Sequence, residues 1–163
     1  MEEPPGWLSN LREGWGAYQP RLLAMIAPLS PAELELRPAP RLRTVERMAS
    51  HIIGARIRWF HRVMGEGDAA IAPLAGWDRR GARPRRPDEL VRGLDTSWGL
   101  ISASLTRWKL EDLKQTYEGD PRQGEPPVLT RRWIVWRALE HDLHHGGEIS
   151  LTLGMHGLTG LKF

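Results

Sequence analysis

The chain has 163 residues, which suits one domain with a hydrophobic core and is short for two, so we expect a single domain over residues 1–163. It contains no cysteine, which excludes disulfides, a thiolate metal site and a cysteine nucleophile. The formal net charge is only +3. No segment approaches the roughly 18 to 20 apolar residues that span a bilayer, and no signal peptide is visible. We therefore expect a cytoplasmic protein with no membrane partner.

The first predicted helix covers residues 7–27. Two glycines and Pro20 lie inside it, so we expect a kink or a break before Arg21, because proline lacks a backbone N–H. A turn-rich connector follows, with a short helical turn expected after Ser30.

The second predicted helix begins near Thr44, which is a favourable N-cap, and stops at Gly65. Its apolar residues recur at helical spacing and form a broad arc on one side. Residues 65–86 are rich in Gly, Pro, Ala and Arg and indicate a long surface loop. The run "RRGARPRR" within it would suit phosphate contacts, but it has no interleaved aromatic residues and no recognition helix. We interpret it as a solvated loop, with nucleic-acid binding as the alternative.

The third predicted helix starts at Pro87, followed by two acids that favour a helix N-terminus. A second loop over residues 117–127 leads to the fourth helix, for which Thr130 is a candidate N-cap and Gly154 a candidate stop. No stretch alternates polar and apolar residues over a strand length. Four amphipathic helices therefore predict an all-α four-helix bundle with long crossover loops.

The fourth predicted helix contains the stretch "EHDLHHGGEIS", residues 140–150. At about 100° per residue, His141 and His145 lie one turn apart on the stripe that also carries Ile134 and Ala138, so both imidazoles should face the core. Burial favours neutral imidazole, which is the form that binds a divalent metal. The pair therefore predicts two metal ligands, although a single buried histidine is more often a structural residue.

The third ligand should come from the second helix, where the pattern favours His51 over His61, because His51 lies at the edge of the apolar arc. Glu148, one turn beyond His145, is a candidate ligand, ligand partner or general base, and we assign it the catalytic role. Three imidazoles suit Zn, Ni, Fe(II) or Mn and leave coordination positions open for water or substrate. His144 falls outside the register of the pair.

The spacing also fits a zinc-protease motif, because "HDLHH" is HExxH with aspartate at the glutamate position. Aspartate is shorter, and Leu151 stands where the extended motif has a third histidine. We therefore disfavour this interpretation. The adjacent Gly146 and Gly147 each cost about 1 kcal/mol against alanine in a helix interior, which predicts a close approach by a helix, a partner or a substrate.

Two segments, "RTVERMASHIIGARIRWFHRVM" and "WIVWRALEHDLHHGGEISLTLGMHG", resemble the DinB-like superfamily, which includes YfiT-like putative hydrolases and bacillithiol- or mycothiol-dependent transferases. The resemblance implies an up-down-down-up bundle, commonly a homodimer, with a divalent metal on three histidines that fall here on His51, His141 and His145. The chain departs from the common pattern at Gly147 and Glu148, where Arg and Gln are frequent.

The resemblance implies a metal-dependent enzyme that acts on a small molecule, either as a hydrolase or as an S-transferase with a low-molecular-weight thiol such as bacillithiol or mycothiol. In that setting Arg58 and Arg62 are candidate substrate-binding residues for a carboxylate. The alternative is a non-catalytic metal-binding or stress-response bundle.

Overall fold

The computed structural model of the chain describes residues 6–162. Its regular elements are five α-helices and two short strands. The helices are α1 (Trp7–Ile26), α2 (Pro31–Leu34), α3 (Val45–Ile57), α4 (Pro87–Arg107) and α5 (Arg131–Met155), and the strands are β1 (Thr116–Glu118) and β2 (Val128–Thr130). A π-helical turn, Arg58–Val63, continues α3, and 3₁₀ turns cover Ala69–Gly76, Leu110–Lys114 and Pro121–Gln123.

The four long helices form the predicted bundle. Helix α1 packs against α4 and α5, and α3 packs against the same two helices. The connection from α1 to α3 therefore crosses the bundle, as the long crossover loops of the prediction require. The short helix α2 lies in this connection and contacts α3. Across residues 6–162, no helix combines the length and the apolar character that crossing a bilayer requires.

The predicted helix starts are confirmed. The Thr44 side chain accepts a hydrogen bond from the Arg47 backbone N–H at the start of α3, and Thr130 accepts one from Trp133 at the start of α5. These caps satisfy backbone donors that have no partner within the helix. Helix α4 begins at Pro87, as expected.

Of the kink or break predicted before Arg21, the break is wrong, because α1 runs through Pro20 without interruption. Buried residues on both sides of the proline hold the two halves on one core: Trp15, Tyr18, Gln19, Leu22, Met25 and Ile26. Packing therefore outweighs the lost hydrogen bond, as tertiary context often does.

Both long loops contain structure that the sequence pattern did not reveal. The predicted loop 65–86 includes the 3₁₀ turn Ala69–Gly76, which contacts α3. The second loop is closed by β1 and β2, which pair antiparallel with Tyr117 opposite Leu129. Strands of three residues are too short for alternation to be visible. The second helix ends at Ile57 as an α-helix and continues as the π turn, and Gly65 then adopts a left-handed φ of 73°.

A buried ion pair lies at the centre of the bundle. Arg56 on α3 donates from Nε and Nη2 to Asp142 Oδ2 on α5, at 2.9 and 2.7 Å, and both side chains are 0% exposed. Helix α1 adds a hydrogen bond from Trp15 Nε1 to the same oxygen at 2.8 Å. Helix α4 accepts from Arg56 Nη1 at the Leu94 carbonyl and at Ser97 Oγ, both at 3.2 Å. The pair therefore links all four long helices.

Gly146 on α5 lies against Tyr18 on α1. A Cβ atom at Gly146 would come within 1.8 Å of the Tyr18 hydroxyl oxygen, which donates to the Asp142 carbonyl at 3.2 Å. A Cβ atom at Gly147 would meet nothing within 4 Å. The close approach predicted from the glycine pair is thus found at Gly146, and its partner is α1.

The Asp142→Asn substitution should lower the free energy of unfolding by about 3–5 kcal/mol, because it leaves the Arg56 guanidinium buried without its counter-charge. The matched control is Glu140→Gln on the same helix, whose carboxylate forms an exposed pair with Arg137 and should cost less than about 1 kcal/mol. Urea denaturation measures both values, and equal losses would contradict a central role for the buried pair.

Gly146→Ala should destabilise the protein by about 1–3 kcal/mol, because the new methyl group overlaps the Tyr18 hydroxyl. Gly147→Ala meets open space and should stabilise α5 by about 0.5–1 kcal/mol through helix propensity. Thermal unfolding of the two variants provides the comparison. A stabilised Gly146→Ala protein would show that α1 does not lie against α5 at this point.

Candidate metal centre

Three imidazoles meet where α3 faces α5. The Nε2 atoms of His51 and His141 are 3.0 Å apart. The ring centroid of His145 lies 4.8 Å from that of His51 and 4.4 Å from that of His141. One ring nitrogen from each of the three residues lies within 4.8 Å of the other two. The structure thus brings together the three histidines that the spacing favoured, from positions 90 residues apart along the chain.

Carboxylates orient two of these imidazoles. His51 Nδ1 donates to Asp78 Oδ2, and His145 Nδ1 donates to Glu148 Oε2, both at 2.6 Å. Burial opposes ionisation of Asp78, but hydrogen bonds from His51 and Arg58 hold the pKa of its carboxyl well below the usual range. When the Nδ1 hydrogen of an uncharged imidazole is committed to a carboxylate, its Nε2 atom carries the lone pair, as in metal-binding histidines.

His141 and His145 are 9% and 8% exposed. Burial lowers the pKa of His141 to about 2, and the neighbouring His145 and His51 add to the effect. Burial also lowers the pKa of His145, against the opposing effect of the hydrogen bond that His145 donates to Glu148. Both rings are therefore neutral at physiological pH, which is the state a metal ligand needs.

The hydrogen bonds around His141 are incomplete without a further group. Its Nδ1 atom is buried and has no partner among the described residues. If the ring hydrogen is on Nε2, it donates to His51 and leaves the Nδ1 lone pair unmet. If it is on Nδ1, that hydrogen is unmet and two Nε2 lone pairs face each other at 3.0 Å. A cation shared by the three rings would relieve the repulsion between the Nε2 lone pairs of the second arrangement, although the Nδ1 hydrogen of His141 would still have no acceptor. The facing Nε2 atoms therefore fit a metal ion.

Glu148 lies beside the triad, but both of its oxygens face imidazoles. Oε2 accepts from His145, and Oε1 lies 3.4 Å from His144 Nε2. These three residues form a second group with ligand spacing, which shares His145 with the triad and includes the exposed His144. The catalytic role of Glu148 stays a prediction, and the contact in the structure gives it an orienting one.

The remaining candidate residues are not members of the triad. His61 donates from Nδ1 to the Glu66 carbonyl at 2.7 Å, away from the triad, and His156 contacts the Arg37 carbonyl at 3.2 Å. Arg62 is exposed. Arg58 donates to both oxygens of Asp78, at 2.7 and 2.9 Å, so its guanidinium is bound to a carboxylate of the protein itself. The substrate-binding role of Arg58 stays a prediction, since this contact uses only part of the five N–H donors of the guanidinium.

The aspartate of "HDLHH" does not serve the triad. Asp142 points into the bundle, where Oδ2 accepts from Arg56 and Trp15, and its side chain is fully buried. Burial raises the pKa of Asp142, and the Arg56 guanidinium opposes the rise. A base in a zinc protease must reach the bound water, and this carboxylate is committed to the core. The structure therefore argues against the protease interpretation.

Two features of the site were missed in the sequence. Asp78 lies in an aperiodic, arginine-rich loop, and no spacing pattern connects it to His51. Arg56 lies on the apolar arc of α3, but a charged residue in a sequence is usually expected to face solvent.

The arginine side chains of this loop are largely paired with other groups of the protein. Arg83 and Arg86 form ion pairs with Glu89 and Asp88, and Arg85 lies over the Trp77 ring at 4.5 Å.

The fold and the site together define a helical bundle with a three-histidine cluster between two facing helices. The family profile of the DinB superfamily matches residues 16–149, so the chain belongs to that superfamily. No curated protein is similar enough to the chain to be matched.

Solved structures agree with the assignment of the fold. A crystal structure of a DinB-like protein from Bacillus cereus has a TM-score of 0.69 and 19% identity, covering 94% of this chain and 95% of that one. A conserved protein from Enterococcus faecalis has a TM-score of 0.69 and 17% identity, covering 91% and 95%. A DinB-like protein from Bacillus subtilis has a TM-score of 0.67 and 19% identity, covering 94% and 96%. At these identities the likeness concerns the fold alone.

The neutral state of His141 predicts a pH dependence of stability. Its pKa in the folded metal-free protein lies below the unfolded value of about 6.5, so between these values the unfolded chain binds more protons. The contribution of neutral His141 to the free energy of unfolding is therefore present above about pH 6.5 and is lost progressively as the pH is lowered. Between pH 7 and 5 the loss from His141 should reach about 2 kcal/mol.

Denaturant unfolding of the metal-free protein at both pH values tests this expectation. His141→Gln should flatten the dependence, whereas His156→Gln, at an exposed contact, should leave it unchanged. Equal slopes in wild type and His141→Gln would mean that His141 titrates normally in the folded state.

Proposed function

We propose that the protein is a metal-dependent enzyme that holds one divalent transition-metal ion with His51, His141 and His145. The observation that carries the proposal is the convergence of three buried or half-buried ring nitrogens, two of them on rings whose Nδ1 hydrogen is taken by a carboxylate. Closed structural zinc sites use four protein ligands. Three ligands therefore favour a site with an open position for substrate.

The proposed reaction is transfer to or from a low-molecular-weight thiol, or hydrolysis of a small molecule. A bound metal of this class lowers the pKa of a coordinated thiol or water. The chain's own groups then have distinct tasks. Asp78 and Glu148 orient the imidazoles of His51 and His145. The Trp59 ring packs perpendicular to the His141 ring, with centroids 5.2 Å apart, and shields that side of the imidazole from water.

Glu148 is proposed as the proton carrier of the site. Its side chain is 44% exposed, so it can exchange protons with solvent while it contacts His145. Arg62, which is exposed, is proposed to bind an anionic substrate. The homodimer also stays a proposal. Several apolar side chains on α5 are exposed, namely Trp136, Leu143, Leu151 and Met155, and light scattering on the purified protein measures the number of copies.

Metal analysis of the purified protein is the first test. We expect about one transition-metal ion per chain in the wild type, because the two groups with ligand spacing share His145. His51→Ala and His141→Ala should lose the ion, whereas His156→Ala, which removes a histidine outside the site, should retain it. A wild-type protein that takes up no Zn, Ni, Fe or Mn would overturn the proposal.

Turnover is tested by combining small thiols with a model electrophile, and separately by nitrophenyl esters and amides for hydrolysis. Metal-loaded protein should turn over one of these classes, and stripped protein should not. Glu148→Gln should lower kcat about a hundredfold or more if Glu148 carries the proton. If metal removal only lowers the melting temperature and no substrate reacts, the non-catalytic metal-binding alternative holds instead.

A further inference from the structure

The carboxylate of Asp78 connects His51 to an arginine. Its Oδ2 atom accepts from His51 Nδ1 at 2.6 Å and from Arg58 Nη2 at 2.9 Å, while Oδ1 accepts from Arg58 Nη1 at 2.7 Å. Arg58 Nη1 also donates to the Ala75 carbonyl at 2.8 Å. The Asp78 side chain is only 11% exposed. A two-point contact of this kind fixes the plane of the carboxylate as well as its position.

The fold provides space for this arrangement on the surface of α3. A Cβ atom at Gly54 would lie 2.7 Å from Arg58 Nη1 and 2.8 Å from Asp78 Oδ1. Glycine at this position lets the paired side chains rest directly on the helix backbone, one turn after His51. The Arg58–Asp78 pair is therefore packed against the backbone of α3, whereas an ordinary surface ion pair extends into solvent.

The neighbouring residue anchors Asp78 to the bundle. A Cβ atom at Gly93 on α4 would lie 2.6 Å from the Trp77 ring, so the ring fills the space that this glycine leaves. The Trp77 carbonyl accepts from Arg47 Nη1 at 3.4 Å, and Arg85 lies over the ring. The connection between α3 and α4 is thus held to both helices at Trp77, which fixes the position of the adjoining Asp78.

The three histidines of the triad differ in how they are held. His145 is oriented by Glu148 on its own helix, with a carboxylate that is 44% exposed, and His141 Nδ1 has no partner among the described residues. His51 is oriented by a carboxylate from a separate segment, itself gripped by an arginine. His51 is also the one member of the triad that α5 does not supply, so its orientation decides whether the three nitrogens converge.

We infer that Asp78, held by Arg58, is a positioning residue for the metal centre, which fixes the Nδ1–H tautomer of His51 and directs its Nε2 atom towards His141 and His145. This inference rests on the proposed metal site. It assigns to the loop between α3 and α4 a role in metal affinity, and it gives Arg58 a function in the protein itself.

Metal affinity, measured by competition of the full chain with a chromogenic chelator for Zn(II) and Co(II), tests the inference. Asp78→Ala and the equal-sized Asp78→Asn should bind about 10- to 100-fold more weakly than wild type, as for other partners of metal-binding histidines. The matched control is Glu89→Gln, which removes an arginine-paired carboxylate without a histidine contact and should leave the affinity unchanged.

Gly54→Ala provides a variant that removes no charge. Its methyl group should displace the Arg58–Asp78 pair and weaken metal binding in the same direction. In the metal-free protein, ¹⁵N–¹H correlation spectra should show the Nδ1–H tautomer of His51 in wild type and its loss in Asp78→Ala, which a purely structural role would not produce.

Wild-type affinity in folded Asp78→Ala and Asp78→Asn proteins would overturn the inference. If Asp78→Ala does not fold, the affinities of Asp78→Asn and Gly54→Ala decide the question in the same way. Failure of the metal site itself looks different, because His51→Ala would then bind metal as well as wild type does.

Discussion

The buried pair of Arg56 and Asp142 is the interaction on which the rest of the bundle depends. Removing two charges from water costs several kcal/mol for each, so the pair can persist only where other groups complete its hydrogen bonds. Trp15 and Gln19 on α1 and Leu94 and Ser97 on α4 supply such hydrogen bonds, although the buried Asp142 Oδ1 has no partner among the described residues. Each long helix supplies a partner, and a displacement of any one of them would leave a buried charge less satisfied.

This constraint also orients the metal ligands. Asp142 follows His141 directly, so the position of its carboxylate inside the bundle sets the rotation of α5 about its axis. Successive helical residues point about 100° apart, and His141 and His145 consequently face α3 and His51. The contact of Gly146 with Tyr18 acts on the same turn of α5. Core electrostatics and site geometry are thus set by neighbouring residues of one helix.

Much of this arrangement follows from local signals in the sequence. The N-caps Thr44 and Thr130 depend on short-range chemistry, and the His141–His145 pair follows from helical periodicity, so each could be predicted. The prediction of His51 as the third ligand depended only on its position at the edge of the apolar arc of α3. The metal centre's remaining parts depend on contacts between distant segments, for which a single sequence carries no periodic signal.

Asp78 and Arg56 illustrate that limit. Asp78 lies in a segment without periodicity, and its position depends on how Trp77 fits beside Gly93. Arg56 lies on the core face of α3, although a charged residue is usually expected to face solvent.

The central claim, that three histidines hold one metal ion, is tested most directly by X-ray absorption at the metal edge of Zn-loaded protein. The account predicts three imidazole nitrogens at about 2.0–2.1 Å, reduced to two in His51→Ala. A spectrum without imidazole scattering, or one unchanged by His51→Ala, would contradict it.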